Sequence, residues 1–245
     1  MSDLIVTEIN ENLKIYQKKD GLTFGTDAYL LYAYMKSRRN GVGADLGSGT
    51  GVISLLAAAK GKLDHIHAIE IQNEFCEIIH KNTELNNLSD KITPVNCDVR
   101  SIPDSLVESL DVVFTNPPYM KSDSGLSNKA DCKNIARHEE NGSIYDFAAA
   151  GSRMLKFGGY FYAVYRPDRL CDLICALREN MLEPKRITFV YPTVNSKPCL
   201  VLVEAKKGAG ASAVLTKPLI MNDESGKYTP ELDYIYNNGE FNEQY

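Results

Sequence analysis

What this sequence lacks narrows its class before any motif is read. No apolar run approaches the ~20 residues that a membrane-spanning helix needs. Residues 1–10 carry no basic stretch followed by an apolar core, so no secretory signal is apparent and a cytoplasmic location is expected. The six cysteines (Cys76, Cys97, Cys132, Cys171, Cys175 and Cys199) include no C-x-x-C pair. A chain of 245 residues buries enough core to need no disulfide, and these thiols are expected to be reduced and mostly buried. His65 and His67 fall on one face of an alternating segment, but no third ligand is offered beside them, and no metal is expected. Neither an internal repeat nor a low-complexity linker interrupts the chain, and one domain is the economical organisation.

Excess positive charge is also missing. The net charge of −5 argues weakly against a nucleic-acid partner. It is a whole-chain average, and local clusters stand at Lys18-Lys19, Lys36 with Arg38-Arg39, Lys185-Arg186 and Lys206-Lys207. By default each is a solvated surface.

What is present is a regular alternation of short apolar segments. Residues 5–9 and 13–17 alternate around Asn10-Glu11-Asn12 and predict a hairpin. A helix follows over 28–35, with Thr26 or Asp27 as its cap. Seven strands are expected at 42–46, 65–70, 92–97, 110–115, 160–165, 187–191 and 199–204. Helices between them are expected at 51–60, 73–86 (Phe75, Ile78, Ile79 and Leu85 inward), 143–155 and 167–180. Strands alternating with helices in this way give an α/β fold with a mostly parallel sheet covered on both faces. Residues 1–40 form a small N-terminal hairpin-and-helix extension, 41–207 the core domain, and 208–245 a polar tail belonging to the same unit. The stretch from Met120 to Gly142 has no periodicity, and a loop of that length in a compact domain is either disordered or functional.

Two stretches carry chemistry. Asp45-Leu46-Gly47-Ser48-Gly49-Thr50-Gly51 turns a strand into a helix with almost no side chains in the way. It lacks the Gly-Lys-Ser/Thr ending of a phosphate loop, and its third glycine is one position early for the dinucleotide fingerprint. A carboxylate ahead of the glycines would repel a pyrophosphate but suits an ammonium or sulfonium. Glu70 ends the next strand, where α/β cofactor folds place a carboxylate that accepts from ribose hydroxyls. Asp98 follows the third strand and can accept from an exocyclic amine.

The second stretch is Asn116-Pro117-Pro118-Tyr119 after an apolar strand. Two prolines fix φ near −65° and remove N–H donors, so the backbone there offers only acceptors. The Asn116 side-chain oxygen and the Pro117 carbonyl can both accept from one planar amine, while Tyr119 offers a ring for a flat substrate to stack on. Two acceptors bias the amine's lone pair out of its π system, and the remaining work is positioning.

Together these stretches resemble motif I and the N-P-P-[YF] motif IV of class I S-adenosylmethionine-dependent amino-methyltransferases, which implies their Rossmann-like fold. By that resemblance Asp45, Gly47, Gly49, Gly51, Glu70, Asp98 and Val99 bind S-adenosylmethionine, with Asp45 beside its amino group and Asn116 touching it as well. Asn116, Pro117 and Tyr119 act in catalysis, and S-adenosylhomocysteine is the product. Three further stretches, Phe24-Gly25-Thr26-Asp27-Ala28, Ala136-Arg137-His138-Glu139 and Tyr228-Thr229-x-Glu231-x-x-x-Ile235-Tyr236, are similar to the bacterial tRNA1(Val) (adenine-37-N6)-methyltransferase family. That similarity implies a tRNA partner, adds Thr26 and Asp27 as cofactor contacts, and makes Tyr119, Lys121 and Arg137 candidates for substrate binding.

The acceptor remains open at this point. A release-factor glutamine methyltransferase shares the Asn-Pro-Pro-Tyr motif but carries a longer helical N-terminal domain, and guanine-N2 methylation of ribosomal RNA is a further alternative. So is a catalytically inactive S-adenosylmethionine-binding module. With an acidic chain, RNA binding is expected to be of low affinity, with Lys18, Lys19, Arg38 and Arg39 nearest the RNA. The chain is expected to be a monomer or a weak dimer.

Overall fold

The computed structural model describes residues 4–18, 25–118, 142–242 and 245. The alternating N-terminal residues form the expected hairpin, β1 (Leu4–Asn10) and β2 (Leu13–Lys18). Leu13, Ile15 and Gln17 turn inward. Helix α1 (Thr26–Tyr34) follows. Its N-cap is Gly25 with no side-chain cap bond, so neither Thr26 nor Asp27 caps it as expected; Asp27 instead lies within the first turn.

The central sheet is built from β3 (Val42–Leu46), β4 (His65–Glu70), β5 (Ile92–Asn96), β6 (Leu110–Thr115), β7 (Leu155–Tyr165), β8 (Leu182–Tyr191) and β9 (Leu200–Lys207). Two short edge strands, β10 (Val214–Leu215) and β11 (Leu219–Ile220), add to β8. These two come from the tail and bring the sheet to nine strands rather than the seven read from periodicity. Each pairs over only two residues, too short to leave an alternating pattern. The path β8-β9-β7-β6-β3-β4-β5 runs parallel except at β9, which is antiparallel to both neighbours. Strand order reverses between β3 and β6, and the carboxyl ends of β3, β4, β5, β6, β7 and β8 share one edge. That is where ligands of open α/β sheets sit.

Helices α2 (Val52–Ala59), α3 (Asn73–Leu85), α4 (Ile144–Met154), α5 (Leu170–Glu179) and α6 (Pro230–Asn238) complete the described fold. One apolar cluster joins α1, α2, the hairpin and α6 to one face of the sheet, through Leu30, Leu31, Leu55, Ile15, Leu232 and Ile235. A second joins α4 and α5 to the other face through Phe147, Ala148, Leu173 and Leu177. On α3, Ile78 and Ile79 are buried as expected, but Phe75 is only half-buried and Leu85 is exposed. Asn82 takes an inward position instead, because the hairpin docks through it. Its Oδ1 accepts from Tyr16 N at 2.6 Å and its Nδ2 donates to Tyr16 O and Thr50 O, while Asn86 makes the same exchange with Lys14. Two amides at i and i+4 on a helix thus supply a ladder for the free edge of β2.

The cysteine expectation needs correction: Cys76 is buried, Cys97 and Cys199 are half-buried, and Cys171 and Cys175 are exposed on the outer face of α5. Cys132 lies outside the described residues. Two of the basic clusters also differ from a solvated surface. Arg186 is buried against Glu204 at 2.9 Å and over the Tyr34 ring at 3.7 Å. Lys207 is buried and donates to Leu155 O at 2.8 Å.

Helix α6 was hidden in a stretch read as a polar tail. Pro230 opens it, the Thr229 hydroxyl caps it by accepting from Leu232 N, and Gly239 closes it in the left-handed region with φ 65°. We expect the segment 208–245 to unfold together with the core. Ile235→Ala, at a site 1% exposed, is expected to lower stability in urea by about 2–4 kcal/mol. Tyr234→Ala on the outer side changes it by less than about 0.5 kcal/mol. Equal, negligible effects would show that the tail does not pack as described.

Candidate active site at the carboxyl edge of the sheet

Strand β3 delivers Asp45 one residue before its end, inside the core and 1% exposed. Ser54, two residues into α2, donates its hydroxyl to Asp45 Oδ2 at 2.8 Å. Asp45 Oδ1 is buried with no hydrogen-bond partner among the described residues. A carboxylate left half-satisfied in the interior resists ionisation. Burial, reinforced by the nearby Glu70 charge and opposed by the Ser54 bonds, raises the Asp45 pKa from 3.8 to about 7.

The chain then turns through three left-handed glycines, Gly47, Gly49 and Gly51, with φ of 70°, 55° and 82°. Around Gly47 and Gly51 the fold also demands the missing side chain. A Cβ at Gly47 would come 3.2 Å from the Phe147 ring on α4, and one at Gly51 would come 3.2 Å from Ile79 on α3. Gly49 is different, because a Cβ there would meet nothing within 4 Å among the described residues. Of the three glycines, it is the one these residues leave uncovered.

Glu70 ends β4 and folds back over this turn. Its Oε2 accepts from Gly49 N and its Oε1 from Gln72 N, both at 2.9 Å. Burial raises its pKa, against the lowering effect of these backbone N–H groups. Asp98 lies two residues beyond β5. Both its oxygens are held by the Arg100 guanidinium, at 2.5–3.0 Å, and Oδ1 also accepts from Arg100 N. That pairing holds its carboxyl below the ordinary value. Asp98 thus has a structural job at the following turn as well as its place on the edge. Val99 beside it is buried.

Strand β6 brings Asn116 to the same edge. The Thr115 hydroxyl donates to Leu46 O at 2.8 Å and locks the ends of β6 and β3 together, so Asn116 stands beside the glycine turn. The Nδ2 of Asn116 donates to Asp27 Oδ2 at 2.9 Å. Pro117 is buried and Pro118 half-buried. The fold therefore brings together Asp27, Asp45, Gly47, Gly49, Gly51, Glu70, Asp98, Val99, Asn116 and Pro117, with Thr26 at the start of α1 exposed beside them. Tyr119, Lys121 and Arg137, and the long loop that holds them, lie outside the described residues.

The proposed basic patch is not one patch. Lys18 pairs with Glu74 at 2.6 Å and sits over Phe75, whereas Arg38 bonds through its backbone to Lys62 O and lies over Tyr160. Arg38 and Arg39 precede β3 and therefore stand at the opposite edge of the sheet from Asn116. Lys19 lies outside the described residues.

Sequence reading missed Ser54, Thr115, Asn82 and Phe147. Ser54 did leave a trace, as the single polar residue within an otherwise apolar helix, Val52–Ala59. Bonds such as Thr115 to Leu46, between residues far apart in the chain, leave none.

Among known proteins, the family model described as "Methyltransferase small domain" matches residues 16–167, more than half of the chain. A tRNA1(Val) (adenine(37)-N6)-methyltransferase of Porphyromonas gingivalis is 29% identical over 84% of this chain and 84% of its own length. One of the same name from Parabacteroides distasonis is 28% identical, over 90% of this chain and 92% of its own. Among solved structures, a predicted O-methyltransferase from Agrobacterium tumefaciens superposes with a TM-score of 0.73 at 25% identity, covering 88% of this chain and 98% of that one. TYW2 of M. jannaschii, solved in complex with AdoMet, superposes with a TM-score of 0.58 at 15% identity, over 84% and 86% of the two chains.

The raised pKa of Asp45 has a stability signature. The fold holds the Asp45 proton more tightly than the unfolded chain does. This contribution is full below pH ~4 and is lost as pH rises through about 7. Asp45→Asn, which keeps the Ser54 bond, is therefore expected to be more stable than the parent at pH 8, by on the order of a few kcal/mol. The gap closes as pH falls to 4. Urea midpoints across that range check this, and a gap independent of pH would refute it.

Proposed function

Because this chain belongs to the methyltransferase small domain family, we propose that it transfers a methyl group from S-adenosylmethionine to the exocyclic N6 amine of an adenine in tRNA, the anticodon-adjacent adenine of tRNA-Val. The observation that carries this reading is the placement of Asn116, beside the half-satisfied Asp45 and the open glycine turn on one sheet edge. The named relatives support the choice of acceptor. Such a substrate fits a cytoplasmic protein.

The residues suit the cofactor. Asp45 Oδ1 needs a donor, and an ammonium supplies one. Gly49 borders the space a nucleoside would fill, Glu70 and Asp98 offer acceptors to hydroxyls and an amine, and the Asp45–Glu70 pair favours a cation. When bound, S-adenosylmethionine supplies a methyl group activated by a sulfonium. On the acceptor side, Asn116 Oδ1 and the Pro117 carbonyl accept from the two N–H bonds of the amine, which turns its lone pair out of the ring's π system. No strong base is required, because the amine proton becomes acidic once nitrogen is alkylated. The chain's contribution to rate is alignment.

An adenine stacked in an anticodon loop has to be turned outward first, at a cost of a few kcal/mol. Stacking on Tyr119 recovers ~1–3 kcal/mol. The acceptor enters from the β6-β7-β9-β8 half of the edge, since the acidic strand ends occupy the β3-β4-β5 half.

Tritiated S-adenosylmethionine offered with separate pools of tRNA, ribosomal RNA and release factor tests the reading. Label is expected in tRNA, as N6-methyladenosine. Asn116→Ala is expected to abolish transfer while leaving cofactor binding nearly intact. Label only in release factor would replace the acceptor, and full turnover by Asn116→Ala would remove Asn116 from the mechanism.

A further inference from the structure

Asp27 stands in the first turn of α1 and Asn116 at the end of β6, and their side chains meet at 2.9 Å. The carboxylate oxygen accepts and the amide NH₂ donates, so the end of the Asn116 amide that faces Asp27 is Nδ2. The chemistry of the pair thus settles an orientation that the shape of an amide alone leaves ambiguous.

We propose that Asp27 is a positioning residue for amine transfer: it holds the Asn116 amide with Nδ2 toward α1, and so turns Oδ1 toward the acceptor. This rests on the reading that Asn116 accepts from an amine. With the amide reversed, an NH₂ would face an NH₂, donor against donor, and one of the two acceptors for the substrate amine would be lost. Asp27 divides its oxygens for this role, since Oδ1 accepts from Ala28 N at 2.9 Å and Oδ2 from Asn116.

The C-terminal segment in turn holds Asp27 in place. Two residues further along α1, the Tyr29 hydroxyl donates to Tyr236 O at 2.9 Å, and the Tyr29 and Tyr236 rings lie 4.8 Å apart. Tyr228 packs on Tyr236 with ring centroids at 5.5 Å. The Tyr228–Tyr236 stretch, without a role when read as sequence, clamps the helix that carries Asp27.

Two variants of the full chain, Asp27→Ala and Asp27→Asn, test this. Asp27→Ala is expected to lower kcat at saturating cofactor and acceptor on the order of 10–100-fold, with the S-adenosylmethionine Kd from isothermal titration unchanged. Asp27→Asn, whose carbonyl still accepts from Asn116, is expected to recover most of that loss. A second readout needs no turnover: the side-chain amide resonance of Asn116, assigned by its disappearance in Asn116→Ala, is expected to shift in Asp27→Ala. A weakened cofactor Kd with kcat retained at saturation would make Asp27 a cofactor contact and overturn the proposal. An unmoved Asn116 resonance, or an Asn variant as impaired as the Ala variant, would overturn it too. Should release factor prove to be the acceptor, the same kcat ratio measured on it tests Asp27, while the tRNA reading falls separately.

Discussion

A carboxylate buried in the core with one oxygen unsatisfied is the constraint around which this molecule is arranged. Asp45 is held near the end of β3 by the Ser54 hydroxyl, and its other oxygen has no partner among the described residues. Interiors seldom tolerate such a group, because an unmade bond there costs more than a made one gains. The fold accepts that cost at the edge where Asp45, Glu70 and Asp98 stand at or near the ends of three adjacent strands and the backbone turns through glycines. In the proposed reading, the left-handed glycine turn and the raised pKa of Asp45 suit a cationic nucleoside.

The second half of the site is built on a different principle. Asn116 is uncharged, and in the proposed transfer its usefulness would lie in which way its amide points. The Thr115–Leu46 bond fixes where it stands and the Asp27 bond fixes how it is turned. Both partners come from distant parts of the chain, so the sheet, α1 and the C-terminal helix have to be assembled before the amide is oriented. Catalysis by alignment places this demand on the whole fold, because misplacement of about 1 Å is enough to lose most of the rate.

Much of this was legible in the residues themselves. The five parallel strands nearest the site and the helices between them announce themselves through apolar periodicity, and β3, β4 and β6 begin and end where that pattern does. The glycine turn and the two prolines after Asn116 are backbone requirements, and such requirements are written locally. What was not legible depends on contacts between distant segments. Helix α6 was hidden because only Leu232 and Ile235 face inward among polar neighbours. Arg186 and Lys207 looked like surface charge, since nothing nearby in sequence announces Glu204 or the Leu155 carbonyl as a partner. Asp27 looked like a helix cap because its partner lies 89 residues away.

The central claim is that the unsatisfied Asp45 carboxylate receives the ammonium of S-adenosylmethionine, and proton linkage tests it most directly. Burial raises the Asp45 pKa to about 7, so binding of a cation beside it is expected to be coupled to release of a proton. Isothermal titration at pH 6 in buffers of different ionisation enthalpy counts it. The account requires more protons released per cofactor bound by the parent chain than by Asp45→Asn. Equal proton counts for the two proteins would contradict it.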